Sequence, residues 1–327
     1  MAEITAGAVK ELRERTGLGM MECKKALTEA NGDMDLAIEN MRKAGSMKAA
    51  KKAGRTAAEG IVMTKIADNG SYGVIIEVNS ETDFAAREEN FVGFAAKVLE
   101  RVFATKETDI ARLMADGMED QRLALVQKIG ENISVRRAVL VGGNGETVGS
   151  YVHSNNKIAV LVALQGGDVE LARDIAMHVA ATNPLVVRPE DVSADVLKKE
   201  GEIYTAQAAE SGKPADIIEK MVSGRLRKYI EEVSLTEQAF VKDPDIKIGK
   251  LAKQSNATVV SFVRYMVGEG IEKKVDDFAA EVAAQVAAAA RALEQARAAS
   301  QKAGEDRQQV ITDREGAMQS AGRIRGV

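Results

Sequence analysis

Few residues in this chain belong to types that do covalent chemistry, and they are widely separated. There are two histidines, His153 and His178, and one cysteine, Cys23. That is too sparse a set for a zinc cluster. A phosphate-binding loop of the form Gly-x-x-x-x-Gly-Lys-[Ser/Thr] does not occur. Gly249-Lys250 is followed by Leu251 and lacks the first glycine at the required spacing. Gly142-Gly143-Asn144-Gly145 carries turn chemistry rather than a nucleotide fingerprint. Carboxylates are plentiful, but no pair is marked for acid–base work. Catalytic residues, metal ligands and cofactors are therefore all expected to be none, and the chain reads as a binding protein rather than an enzyme.

The stretch best suited to binding runs from Glu77 to Arg87, Glu-Val-Asn-Ser-Glu-Thr-Asp-Phe-Ala-Ala-Arg. It is an acidic, polar turn ending in one aromatic residue, Phe84, directly after Thr82 and Asp83. Two readings fit. An Asp or Thr that opens a helix beside an apolar staple is common, and spacing alone favours that reading. The other is a ring offered to a pocket on another protein. Cys23 reads as a small buried apolar residue, and His178, set among Ile175, Met177 and Val179, as structural.

A second candidate is a basic stretch at 42–55, where Arg42, Lys43, Lys48, Lys51, Lys52 and Arg55 follow one another with no acid between them. It could touch RNA or another acidic surface. A solvated, Ala- and Lys-rich linker helix is favoured, because no aromatic residues interleave to stack bases.

Composition sets the frame. The 327 residues suggest two or three domains; 45% are hydrophobic and 29% charged, enough for a core and a soluble surface. Aromatics make up 4%, so the core must be aliphatic, and the net charge of −4 gives no global pull toward nucleic acid. One cysteine fits a reducing compartment. With no signal-like start and no apolar run long enough for a bilayer, a soluble, cytoplasmic protein is expected.

These candidates need elements to hold them. Residues 1–45 read as three helices ending at Thr16-Gly17, Asn31-Gly32 and Gly45, since glycine past a helix end accepts the left-handed conformation. Asp33 caps the third, which continues through Leu36, Ala37, Asn40 and Met41. Residues 58–79 form a hairpin turned at Ala67-Asp68-Asn69-Gly70. A helix from Asn90 carries Phe91, Phe94, Ala95, Val98, Leu99 and Val102, a clear 3.6-residue stripe. The segment around 108–130 is helical. Ile133–Val141 is a strand, and the glycine turn sends Val148–His153 back to pair with it. Asn155-Asn156 leads to a strand over 158–164, and Asp168 opens a helix through Ala180. Hairpin, turn and helix thus occur twice. Between Pro189 and about residue 232 the pattern is an antiparallel helical hairpin broken at 211–214. Val259–Val267 returns as a strand. An Ala-rich helix follows from Phe278 to about Ala299, and 303–327 show no apolar period.

Several stretches converge on one family. Leu12–Leu27, Leu-Arg-Glu-Arg-Thr-Gly-Leu-Gly-Met-Met-Glu-Cys-Lys-Lys-Ala-Leu, closely resembles the N-terminal signature of bacterial translation elongation factor Ts, and Glu77–Phe84 resembles its second signature. Ile129-Gly130-Glu131-Asn132-Ile133 and Val267–Lys273 are similar to further segments of it. The resemblance covers about residues 1–286, and the following forty match nothing in the family.

The resemblance implies an α+β fold in four parts: an N-terminal three-helix, UBA-like domain with its basic linker over 1–56; a first core half over 57–140; a second over 141–275 with a helical hairpin inserted at about 190–232; and a C-terminal helix and unmatched tail over 276–327. It implies a nucleotide exchange factor for the GTPase elongation factor Tu, which inserts the turn of Thr82, Asp83 and Phe84 beside the magnesium and phosphate site. It also points to Arg13, Met20 and Met21 on a helix of the GTPase, to Ile129 near the Phe84 turn, and to His153, from Gly149-Ser150-Tyr151-Val152-His153, at the partner surface. The methionines and Ile129 remain divided between interface and core. The alternatives are an adaptor that binds without accelerating exchange, or an RNA-associated subunit that joins a larger assembly through weak contacts of the 42–55 stretch.

Overall fold

Polar side chains that satisfy the first free backbone N–H groups set several of the helix starts. Thr5 accepts from the amide of Ala8 to open α1, Ala6–Thr16, which closes on Gly17 at φ +68°. Helix α2, Met20–Glu29, turns Cys23, Ala26 and Leu27 inward. Asp33 accepts from Leu36 N and opens α3, Met34–Lys52. Together they enclose a small aliphatic core around Leu12, Cys23 and Leu27. The computed structural model describes residues 4–115, 117–210, 214–272 and 286. The expected Ala-rich helix and tail lie, apart from Val286, outside the described residues.

One expectation fails on α3. The helix does not end at Gly45 but runs seven residues further, and Gly45 is buried within it. A Cβ there would meet only the movable end of the Gln127 side chain, 2.6 Å away at Oε1, so the glycine lies inside its helix and against a neighbouring one rather than ending its own. Ala37 and Met41 are buried on α3, and Leu36 and Asn40 face solvent.

The core is a double sheet. Strands β1, Glu59–Ile66, and β2, Tyr72–Ser80, form the expected hairpin. After the short α4, Asp83–Arg87, comes α5, Glu89–Thr105, with all six expected apolar residues buried. The helical segment around 108–130 consists of α6, Ile110–Leu113, and α7, Met118–Ile129. Strand β3, Ile133–Gly142, then joins β2, giving the antiparallel order β1-β2-β3. Strand β4, Thr147–Val152, does not pair back onto β3 as expected. It pairs with β5, Ile158–Gln165, in a second sheet. The turn between β3 and β4, with Gly142, Gly143 and Gly145 all at positive φ, carries the chain across from one sheet to the other.

Helix α8, Val169–Thr182, covers the second sheet. It lies so close to β4 that a Cβ on Gly149 would sit 2.4 Å from the backbone nitrogen of Arg173. The helical hairpin is α9, Ala194–Ala209, and α10, Ala215–Val233. The first begins only after a 3₁₀ turn at Pro189–Asp191, because Ser193 caps the helix. Arg225 reaches Gln207 across the pair at 2.9 Å and lies over the Tyr204 ring. Strands β6, Ala239–Phe240, and β7, Asp243–Lys247, and helix α11, Ile248–Gln254, lead to β8, Thr258–Met266, which completes the order β4-β5-β8.

The two halves repeat. In each, the second strand of a hairpin is central and a later strand joins its free edge. The hairpin tips also interlock: Val148 N donates to Gly70 O at 2.7 Å, and Val62 N donates to Asn156 O at 2.9 Å. The tip of each hairpin therefore meets the first strand of the other half. Val62, Ile75, Leu161 and Tyr265 fill the space between the sheets, while Val74, Ile76 and Val78 face α5 and Val160 and Val162 face α8. Both central strands are buried on two faces, which explains their continuous apolar runs.

Candidate functional site

The turn after β2 is built to hold a side chain out in water. Thr82 caps α4 by accepting from Ala85 N at 3.2 Å. Ala85 and Ala86 point inward and are buried, which leaves the opposite face of this short helix to Phe84. The Phe84 ring is 80% exposed. The staple reading of this residue is excluded, since a staple must lie against its helix. Asp83 pairs with Arg87 at 2.8 Å, one turn along.

A pair of crossed carboxylates fixes the backbone here. Glu131 accepts from both Thr82 N, at 2.9 Å, and Thr82 Oγ1, at 2.6 Å. In return, Glu81 accepts from Asn132 N at 2.6 Å. Each of the two segments thus supplies one acid to the other's backbone, and the turn is locked to the start of β3. Asn132 Nδ2 continues outward to Ala53 O and Arg55 O, and Lys52 Nζ donates to Gly130 O. The end of α3, the end of α7 and the Phe84 turn therefore share one junction. Glu81, Glu131 and Asn132 were not singled out in the sequence. Glu81 falls in the acidic stretch at 77–87, and Glu131 and Asn132 follow Gly130, which caps α7 in the left-handed conformation; nothing local indicated that the two segments bond to each other.

His153 lies at the same end of the double sheet. It is exposed, and its Nδ1 is 3.2 Å from the Tyr151 hydroxyl. Its turn is tied to the root of the Phe84 turn: Lys157 Nζ reaches Glu59 Oε2 at 2.8 Å and Gly60 O at 3.1 Å, and Glu59 pairs with Ser80 in the sheet. Residues from both halves are thus presented on one end. Arg13, Met20 and Met21 are exposed on the three-helix module. Ile129 is half-buried and packs on the core of the first half.

Beneath this end is a buried ion cluster. The Glu77 carboxylate is fully buried. Its Oε1 accepts from Gly268 N at 2.8 Å, Asn79 Nδ2 at 3.0 Å and Arg136 Nη1 at 3.1 Å, and its Oε2 accepts from Arg137 Nε at 2.5 Å. A β-bulge allows two consecutive arginines to reach one acid, because the register jumps from Glu77↔Arg137 to Val78↔Val135 and leaves Arg136 unpaired in the ladder. Burial alone would raise the Glu77 pKa, but Gly268, Asn79 and Arg137 outweigh it and hold the group below its ordinary value. His178, also fully buried, accepts from Val241 N at Nδ1 (3.3 Å), so Nε2 carries the proton and donates to Gln238 Oε1 at 2.9 Å. Desolvation lowers its pKa against the opposing pull of Gln238, and it serves the core as a neutral tether.

The basic stretch is largely occupied within the chain. Arg42 pairs with Asp120, Lys43 with Glu39, Lys48 with Glu22 and Arg55 with Glu81. Among the described residues, no helix is long and apolar enough to cross a membrane, and no cluster of three His, Cys, Asp or Glu is arranged to hold a metal.

Residues 81–269 match the family described as elongation factor TS. The chain is 63% identical over 286 residues to elongation factor Ts of Hahella chejuensis, a match covering 88% of this chain and 99% of that protein. It is 62% identical over 285 residues to that of Saccharophagus degradans, covering 87% and 98%. With that of Pseudomonas aeruginosa it shares 58% over 290 residues, covering 88% and 99%.

Proposed function

The chain belongs to the elongation factor Ts family, which implies nucleotide exchange on elongation factor Tu, and we propose that it binds the GDP form of that GTPase and promotes GDP release through the Asp83–Phe84 turn. One observation carries the mechanism: an aromatic ring, 80% exposed, on a turn whose backbone is clamped from both sides. A rigid probe loses little conformational freedom on insertion, so more of the burial of the ring is available to displace what it meets.

GDP is held by a phosphate loop, its lysine and magnesium. A partner that binds the empty GTPase better than the loaded one must weaken GDP by the same factor by which GDP weakens the partner. Phe84 supplies the wedge and Asp83 a charge that competes near the magnesium and phosphate groups. His153 and its turn contact the same partner beside the wedge, while Arg13, Met20 and Met21 grip a second patch and add affinity. Ile129 supports the turn from below. No bond is made or broken. The four-part division at residues 56, 140 and 275, with the hairpin as an insertion, serves this scheme by giving separate modules to separate faces of the GTPase. Work in the cytoplasm follows from the partner.

The exchange reading is tested by the release rate of a fluorescent GDP from a Tu-type GTPase, with this protein and with Phe84→Ala. Loss of a hot-spot aromatic costs about 2 kcal/mol or more, so maximal acceleration should fall about 30-fold. Acceleration that survives the substitution would move the wedge elsewhere. Binding with no acceleration by the unmodified protein would leave an adaptor. The ion pairs that occupy the basic stretch count against an RNA-directed role.

A further inference from the structure

Helix α2 divides its sulfur atoms between two environments. Cys23 is fully buried, with its Sγ 3.7 Å from Thr16 Oγ1 and 3.9 Å from Leu18 O. Met20 and Met21, in the first turn of the same helix, are 59% and 75% exposed. Three other methionines, Met41, Met114 and Met118, do serve as buried core filler. The thiol that would ordinarily sense oxidants is thus shielded, while two adjacent thioethers stand in water. Exposed thioethers are the next most oxidisable groups, and their accessibility sets their rate.

We propose that Met20 and Met21 are an oxidation-sensitive site at which conversion to the sulfoxide weakens docking of the partner GTPase; this rests on the exchange reading above. The oxidant is a peroxide. A thioether lone pair attacks one peroxide oxygen, the O–O bond breaks and an S–O bond forms. Sulfur loses two electrons, and the other oxygen takes up a proton and leaves as water. A sulfoxide reductase using a dithiol reverses the step, giving back the thioether with water and a disulfide.

The physical effect follows from the change in side-chain character. A thioether is apolar and adapts to an irregular surface. A sulfoxide brings a strong acceptor into the contact, and this costs free energy unless the partner offers a donor. Because displacement of GDP is assigned to the Phe84 turn and grip on the partner to this pair, the loss falls on affinity and not on the maximal release rate. Met47 provides an internal comparison. It is 65% exposed on α3 and has no part in the proposed contact.

The test treats the full chain with dilute hydrogen peroxide, removes the oxidant, and maps the sulfoxides by peptide mass. GDP release from untreated GTPase is then measured against factor concentration. The half-saturating concentration is expected to rise at least about fivefold for the native chain and for Met47→Leu, with the maximal rate retained and reductase treatment restoring the original value. A Met20→Leu/Met21→Leu chain, compared with its own untreated form, should not respond. Equal sensitivity of that double variant overturns the proposal, as does full oxidation of both methionines without a change in half-saturation. If the untreated chain fails to accelerate release at all, the exchange reading falls first and takes this inference with it.

Discussion

Glu77→Gln tests whether the buried ion cluster holds the two sheets together. The substitution preserves shape and removes the charge. An amide oxygen at the Oε1 position keeps its bonds from Gly268 N and Asn79 Nδ2, at 2.8 and 3.0 Å. The amide nitrogen then stands where Oε2 was, 2.5 Å from Arg137 Nε, so that donor meets donor. Arg136 and Arg137 lose their shared buried acid, while Arg137 keeps Glu269 at 3.8 Å. Removing one partner of a buried ion pair costs about 3–5 kcal/mol, and the two retained bonds bring the expected loss to about 2–4 kcal/mol. For a unit of this size that lowers Tm by about 5–15 °C, measured by circular dichroism near neutral pH.

The acid limb gives a second readout for the same substitution. Glu77 has a folded pKa below its ordinary 4.5. Its contribution is therefore complete above 4.5 and is lost as pH falls from there toward the folded value. The native chain should lose stability steeply below pH 4.5, and Glu77→Gln should be flatter over that window. A Tm within about 2 °C of the native value, with an unchanged acid limb, would refute the assignment of stability to this cluster.

Three further outcomes follow from the geometry. Glu131→Ala deletes both bonds to Thr82 and frees the Phe84 turn; about 1–2 kcal/mol of local order is lost, giving faster amide exchange at residues 82–86 and slower GDP release at unchanged global Tm. Gly149→Ala should destabilise by about 1–3 kcal/mol in chemical denaturation, because its Cβ meets the α8 backbone, whereas Gly45→Ala meets only a movable Gln127 side chain and should be neutral or stabilise by up to about 1 kcal/mol. His178, neutral when buried and lowered from 6.5, contributes stability that is full above 6.5 and falls as the pH drops through and below it; Tm of the native chain should decline from pH 7 to 5, and that of His178→Asn, lower throughout, should decline less.

Much of this protein was legible in its sequence because the signals are local. Asp33 and Asp168 each satisfy an amide three residues on, and Gly17 and Gly130 take the left-handed conformation that ends their helices. The stripe from Phe91 to Val102 becomes the buried face of α5. Such features depend on neighbours within one turn of chain, so their residue types announce them. The signatures at 12–27 and 77–84 likewise announced the family.

What the tertiary structure alone decided involves partners far apart in the chain. Gly45 has the same composition signal as a helix end, and only the approach of α7 makes it an interior residue of α3. A glycine-rich turn after Val141 is equally compatible with a hairpin and with a crossing between sheets; the choice belongs to β2 and β5, whose edges compete for β3 and β4. Phe84 could have been a staple, and it stands in solvent because Ala85 and Ala86 take the inner face while Glu131, about fifty residues away, holds the turn. Side-chain types specify what a residue can bond to; which acid meets which amide is settled by the sheet register, and that energy exists only once the chain is folded.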